Sequence, residues 1–222
     1  MDHASLVRQY LKNKQNEEIL YREFPFVTIC RQAGAGGHTL AMELVRQIEQ
    51  KWTEDFGEGW EIFDHKSCLY VAEDTHARRS LDELVDEKYR KETCQFVYDL
   101  LAGKAEQLVL YHRVFEVVRI LAMMGKVVLV GTAAGACITR DMPMGVRIRL
   151  VAGEKTCLQK WMEFYKVDEE EAQRMIKRED RERARLVWDY FSKDINDPLL
   201  YDAVFNTDRL TKEEIAAIVV QM

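Results

Sequence analysis

Apolar residues gather in five short runs, separated by longer stretches with helical spacing. The runs are FVTIC from Phe26, WEIF from Trp60, KVVLVG from Lys126, VRIRLV from Val146 and AVFN from Ala203. Three are rich in β-branched residues, and the first and third are nearly unbroken in apolar character. Strands of a parallel sheet look this way because helices cover both of their faces. Between them the pattern predicts helices over residues 39–51, 104–124, 154–166, 168–190 and 211–220. The second is apolar around much of its circumference, which predicts burial, and Gly125 is placed to stop it. The last opens Thr211-Lys-Glu-Glu214, a capping-box spacing, and Asp168 precedes three glutamates that suit a helix N-terminus.

Strands alternating with helices imply βαβ units and a doubly wound sheet. Residues 71–98 are polar and lie between the second and third strands, where they read as a helical insertion or flap. No repeat or low-complexity segment interrupts the chain, and it holds three prolines and no Ser/Gly-rich tract. A single domain over residues 1–222 is the expected organisation.

Composition narrows the partners. With 47% hydrophobic residues the chain can fill a core, and 32% charged residues solvate its surface. A formal net charge of −6 argues against general nucleic-acid binding, which needs excess basic charge. A small anion needs only a local set of donors. The five cysteines, Cys30, Cys68, Cys94, Cys137 and Cys157, never stand at C-x-x-C spacing, so neither a zinc site nor a redox pair is implied. The first 24 residues are charged throughout, unlike a signal peptide. No window reaches the about 18 apolar residues of a membrane span. A cytoplasmic protein without membrane or nucleic-acid partners is expected.

The chemistry concentrates after the first strand, in FVTICRQAGAGGHTLAMELVRQ, residues 26–47. Gly34, Gly36 and Gly37 stand between a strand and a helix, where backbone N–H groups can converge on an anion at the helix N-terminus. The dinucleotide pattern G-x-G-x-x-G fails at Thr39. The pattern G-x-x-x-x-G-K-[ST] is half met: Arg31 stands at its first glycine, Gly36 matches its second and Gly37 replaces its lysine. Thr39 instead suits the G-K-G-T form of small nucleotide kinases. The residues leave two readings open, an anion cradle or a glycine turn built for close packing.

A second feature is RMIKREDRERARLVW, residues 174–188. Arg178, Arg181 and Arg185 are spaced by three and four and share one helix face. They form either a solvated face, laced with pairs such as Glu179 with Arg183, or a lid that brings guanidinium groups to a moving phosphoryl.

Together with IFDHK, VVLVGTAAGACITRDMP and DPLLYDAVFNTDRLTKEE, these stretches resemble the cytidylate kinase-like proteins, a branch of the nucleoside-monophosphate kinases. The resemblance runs from about residue 26 to 222. It implies a three-layer P-loop α/β fold, with a five-stranded parallel sheet in the order 2-3-1-4-5 and a helical lid. A monophosphate-binding region would fall at residues 64–120 and the arginine lid at 166–195. Gly34, Ala35, Gly36, Gly37, His38 and Thr39 would bind the phosphates of ATP, with Thr39 near Mg²⁺. Asp64 would face the acceptor, and Arg178, Arg181 and Arg185 would close as the catalytic cations. Asp64 and Asp180 are the carboxylates available to Mg²⁺.

Two departures accompany the resemblance. His38 follows Gly37 as the basic residue in place of the loop lysine. Gly131-Thr132-Ala133 stands where a cytidylate kinase presents Gly-Arg-Asp to its acceptor, and Arg140 is either the substitute cation or a surface arginine after the loop. The implied activity is transfer of the γ-phosphoryl of ATP to a nucleoside monophosphate, cytidylate-like, or to another small phosphorylated acceptor. The alternative is a nucleotide-binding module that has lost catalysis.

Overall fold

A computed structural model describes residues 3–16, 24–52, 54–85, 87–100, 109–131, 133–138, 142 and 144–222. In chain order the elements are α1 (His3–Asn16), β1 (Phe26–Arg31), α2 (Gly37–Lys51), α3 (Glu54–Gly57) and β2 (Glu61–Asp64). Helices α4 (His65–Glu73), α5 (Thr75–Glu83), α6 (Glu87–Leu100) and α7 (Val109–Met124) follow, then β3 (Val127–Val130) and α8 (Ala134–Cys137). The chain continues through β4 (Gly145–Val151), α9 (Glu154–Tyr165), α10 (Glu169–Phe191), β5 (Ala203–Asn206) and α11 (Lys212–Val219).

All five strands pair in parallel, in the order β2-β3-β1-β4-β5. Alternation along the central strands sorts side chains into two cores. Val27 and Ile29 of β1 and Val128 and Val130 of β3 face α2 and α11, meeting Leu40, Leu44, Ile48, Ile215 and Val219. Phe26, Val127 and Leu129 face the other way, toward α1, α4, α7 and α10, meeting Phe115, Val118, Leu121, Val187 and Phe191. Burial of both faces is why these strands lack a polar face, and it makes three layers. A third small cluster joins Ala33 to Trp161 of α9 and Ala172 of α10.

The element ends follow local chemistry. Thr211 and Glu214 form the expected capping box on α11, with Glu214 N–H donating to Thr211 Oγ1 at 3.2 Å. Asp168 accepts from the Glu171 N–H at 2.8 Å and starts α10. Gly125 ends α7 at φ +65°, a left-handed conformation where a side chain would strain the backbone.

Several segments differ from the sequence pattern. Residues 3–16 form a helix that the pattern does not predict, and it buries Val7, Tyr10 and Leu11 against the larger core. The polar stretch at 71–98 resolves into the end of α4, then α5 and most of α6. Of the helix expected at 104–124, residues 109–124 are seen, and 104–108 lie outside the described residues. Helix α2 starts at Gly37, two residues before the expected Thr39, because Gly36 at φ +86° turns the chain into it. Among the described residues, no helix is long and apolar enough to cross a membrane.

Candidate functional site

Parallel pairing brings the carboxyl ends of β1, β3 and β2 to one edge of the sheet. Val130 stands opposite both Ile29 and Asp64, so Arg31, Gly131 and Asp64 emerge side by side. In open α/β sheets this edge, near the strand where the connections change direction, is where ligands bind.

The loop from β1 to α2 spans residues 32–36, and its ends are pinned. Gln32 donates its N–H to the Leu150 carbonyl at 3.1 Å, and its side-chain oxygen accepts from Ala152 N–H at 2.9 Å. Ala35 N–H returns to the Gln32 carbonyl at 3.2 Å. Ala33 N–H donates to Asp180 Oδ1 on α10 at 2.7 Å. The loop glycines have different surroundings. A Cβ on Gly34 would stand 2.6 Å from the Cys157 carbonyl oxygen, because α9 packs against the loop there. A Cβ on Gly36 would meet nothing within 4 Å, so the loop is open at that point.

The N–H groups of Gly34, Gly36, Gly37, His38 and Thr39 have no hydrogen-bond partner among the described residues. Two of them lie in the loop, and three belong to the first turn of α2, where the helix dipole adds partial positive charge. His38 and Thr39 are exposed on that turn. Backbone donors converging from a loop and a helix start suit phosphate oxygens.

The cations that line the cavity at this edge are Arg31 and Arg183. Arg178, Arg181 and Arg185 lie exposed on the solvent face of α10. Arg185 pairs with Asp189 at 3.0 Å. The physical reason is the apolar stripe of α10. Ala172, Ile176, Val187 and Tyr190 turn inward, and Arg183 falls on that same side, opposite the three expected residues. Arg183 bonds Glu179 at 2.9 Å and Asp180 at 3.1 Å, and borders a small cavity between Arg31, Gly131 and the start of α8.

Arg31 is the second inward cation. It ends β1, half-buried, with its stem beside Gly37 and its guanidinium over Gly131. Burial, and then the charge of Arg183, hold its pKa down to about 10, against weaker upward pulls from Cys30, Glu179 and Asp64. It remains charged at neutral pH. The sequence signal for both arginines was available: Arg183 sits in an apolar stripe, and Arg31 ends a buried strand at the loop.

The remaining expected residues divide. Asp64 is at the edge, but its carboxylate caps α4, accepting from the Ser67 N–H at 2.8 Å and the Ser67 hydroxyl at 2.9 Å. His65 beside it lies within electrostatic reach of Arg31 and Glu179. Arg140 lies outside the described residues. Arg149 is an inward residue that the sequence reading leaves aside. It is buried, donating to Cys30 Sγ at 3.0 Å and Asn196 Oδ1 at 2.8 Å, which braces the end of β1.

The donor set suits Mg²⁺ only as an ion carried largely by its ligand. Among the described residues no three metal-binding side chains cluster. Thr39 presents its hydroxyl on the open first turn of α2, and Asp180 holds its carboxylate on the loop. Nucleotide-borne Mg²⁺ typically needs only one or two protein oxygens, since phosphates and waters complete its shell.

Comparison with known proteins agrees with this architecture. Among curated proteins, none matches the chain in sequence. Among solved structures, an uncharacterized protein from Eubacterium ventriosum ATCC 27560 has 20% identity and a TM-score of 0.67, over 90% of this chain and 97% of that one. Shikimate kinase from Bacteroides thetaiotaomicron has 14% identity and a TM-score of 0.42, over 89% of this chain and 94% of that one. The first likeness is one of fold. A parallel sheet in the order 2-3-1-4-5, with a glycine loop between its first strand and helix, is the P-loop α/β architecture. Residues 26–209 match the cytidylate kinase-like family, and the chain belongs to that family.

Proposed function

We propose that the protein is an Mg²⁺-dependent phosphotransferase that moves the γ-phosphoryl of ATP to a nucleoside monophosphate, cytidylate-like, or to another small phosphorylated acceptor. The observation that carries this reading is the set of unbonded N–H groups at residues 34 and 36–39, opening at the ligand edge of a P-loop fold.

Phosphoryl transfer to an acceptor that is already anionic needs little proton chemistry. It needs positioning and neutralisation of spreading negative charge. The loop and first turn of α2 would grip the donor phosphates. Thr39 and Asp180 would hold Mg²⁺, which neutralises phosphate charge when bound. Arg183 faces the same edge and would stabilise charge on the transferring group. The helices between β2 and β3, in the region 64–120, would hold the acceptor, and α10, in the region 166–195, would act as the lid.

A second reading is favoured by specific residues. Gly37 replaces the loop lysine, and Gly131-Thr132-Ala133 replaces an Arg-Asp acceptor contact, as in a nucleotide-binding module without catalysis. A coupled ADP-release screen over nucleoside monophosphates and other small phosphorylated compounds, with Mg·ATP, separates the two. Turnover on at least one acceptor is the expected result. Tight ATP binding without turnover on any acceptor would leave the binding-module reading in place.

A further inference from the structure

The loop lacks its lysine, yet a phosphate site without a fixed cation is incomplete, since backbone N–H groups alone leave much of a polyphosphate's charge unbalanced. We propose that Arg31 is the missing cation, delivered from the end of β1 through the space that a side chain at position 37 would fill. This rests on the nucleotide-binding reading of the loop and adds a residue to it.

Geometry crowds the two positions against each other. A Cβ on Gly37 would stand 3.0 Å from Arg31 Cγ and 3.2 Å from its Cδ. The stem of Arg31 therefore passes where a lysine at position 37 would begin its side chain. The far end has a matching gap. A Cβ on Gly131 would overlap Arg31 Nη1, so the guanidinium rests over the bare backbone at the end of β3. Gly131 holds φ +84°, which glycine adopts freely. Two glycines thus frame one arginine, one along its stem and one under its head. The head lies at the edge where the sheet presents its ligand.

The charge there is not satisfied by the protein. Among the described residues, Arg31 makes no hydrogen bond or ion pair from its side chain. The carboxylates within electrostatic reach are committed elsewhere: Glu179 pairs with Arg183, and Asp64 caps α4. Arg183 adds a second positive charge close by, and burial with that repulsion disfavours the charged form. A polyphosphate would relieve both costs. A guanidinium also offers five donors in a planar fork, which can bridge two phosphate oxygens where an ammonium holds one point. Arg31 is thus suited to bridge adjacent phosphoryl groups.

The test is calorimetric binding of Mg-free tripolyphosphate and of Mg·ATP to the full chain. Arg31→Gln, with its fold checked by circular dichroism, is expected to weaken both by about 10- to 100-fold, the range of charge-assisted hydrogen bonds. His38→Gln keeps its backbone donor, and its loss is expected to be smaller than that of Arg31→Gln. A relocation variant guards against a trivial folding defect. Arg31→Ala frees the channel, so Arg31→Ala with Gly37→Lys should recover most of the lost affinity, whereas Gly37→Lys alone should push the Arg31 stem aside and gain no affinity. If Arg31→Gln binds as well as wild type, or tighter, Arg31 is a spectator or a plug; the proposal fails and the nucleotide reading stands. If His38→Gln carries the loss, the cation is His38. If the wild-type protein binds neither ligand, both readings fall together.

Discussion

Gly34 and Gly36 share a backbone conformation, φ +84° and +86°, but not an environment. At Gly36 an added methyl meets open space, so Gly36→Ala costs only the left-handed backbone, about 1–2 kcal/mol. At Gly34 the same methyl runs into the backbone of Cys157, and overpacking adds about 1–3 kcal/mol. Denaturant unfolding should therefore rank Gly34→Ala as the more destabilising. Equal losses would mean that α9 gives way at no cost. Glu43 on α2 illustrates a titrating residue. The Arg46 guanidinium donates to its carboxylate at 2.9 Å and Gln47 at 2.7 Å, which lowers its pKa from 4.5 to about 2. The unfolded chain lacks these donors, so the stabilisation is complete above about pH 4.5 and disappears as pH falls toward 2. Wild-type melting temperature should then drop more steeply across that window than that of Glu43→Gln, and parallel curves would remove Glu43 from the acid response. Sequence alone placed the three loop glycines but could not separate their roles. Gly34 meets α9 through a contact with Cys157 more than 100 residues away, and Gly37 makes room for Arg31 only through the way the loop turns, neither of which a string of glycines reveals.

Helix α10 shows what an element's sequence does and does not reveal. Its start was legible because Asp168 and three glutamates are local signals that act within one turn. Its orientation was in the sequence too, in the apolar positions 172, 176, 187 and 190, but the run of arginines is the louder pattern. Burial of apolar area decides which face turns inward. Exposed charge is satisfied by water and carries little weight in that choice. In this arrangement Arg183 borders the cavity beside Arg31, and Arg178, Arg181 and Arg185 face solvent. Arg183→Ala should lower turnover on an identified acceptor far more than it lowers ATP affinity. An arginine contacting the transferring group contributes roughly 10³–10⁵ in rate. Arg181→Ala should stay within a few-fold of wild type. A large loss from Arg181→Ala with none from Arg183→Ala would mean that α10 rotates or shifts before catalysis.

At the scale of the molecule, the sheet was the readable part. Strands buried on both faces must be apolar on both, and that constraint leaves a direct mark on sequence. Helix α1 left almost none, because a few inward residues, Val7, Tyr10 and Leu11 with the buried Lys14, dock an otherwise polar segment. The bond that ties α10 to the loop was equally invisible, because it joins residues 147 positions apart, the Ala33 N–H and the Asp180 carboxylate. That bond joins the two sides of the site. It also puts a negative charge on a donor of the loop that should receive phosphate. A polyphosphate entering the loop meets this carboxylate as a like charge, whereas Mg²⁺ arriving with it turns the same carboxylate into a favourable partner. Asp180→Asn keeps an acceptor for Ala33 and removes the charge, so its effect should change sign with the metal. Mg-free tripolyphosphate should bind roughly tenfold tighter to Asp180→Asn than to wild type, because one repulsive charge is gone. Mg·ATP should bind more weakly, because a ligand for the ion is gone. Calorimetry on the two ligands, side by side, reads both effects. If the variant shifts both in the same direction, Asp180 acts only through the position of α10. If neither shifts, bound phosphate lies clear of the latch, and the metal must be held by another carboxylate at this edge.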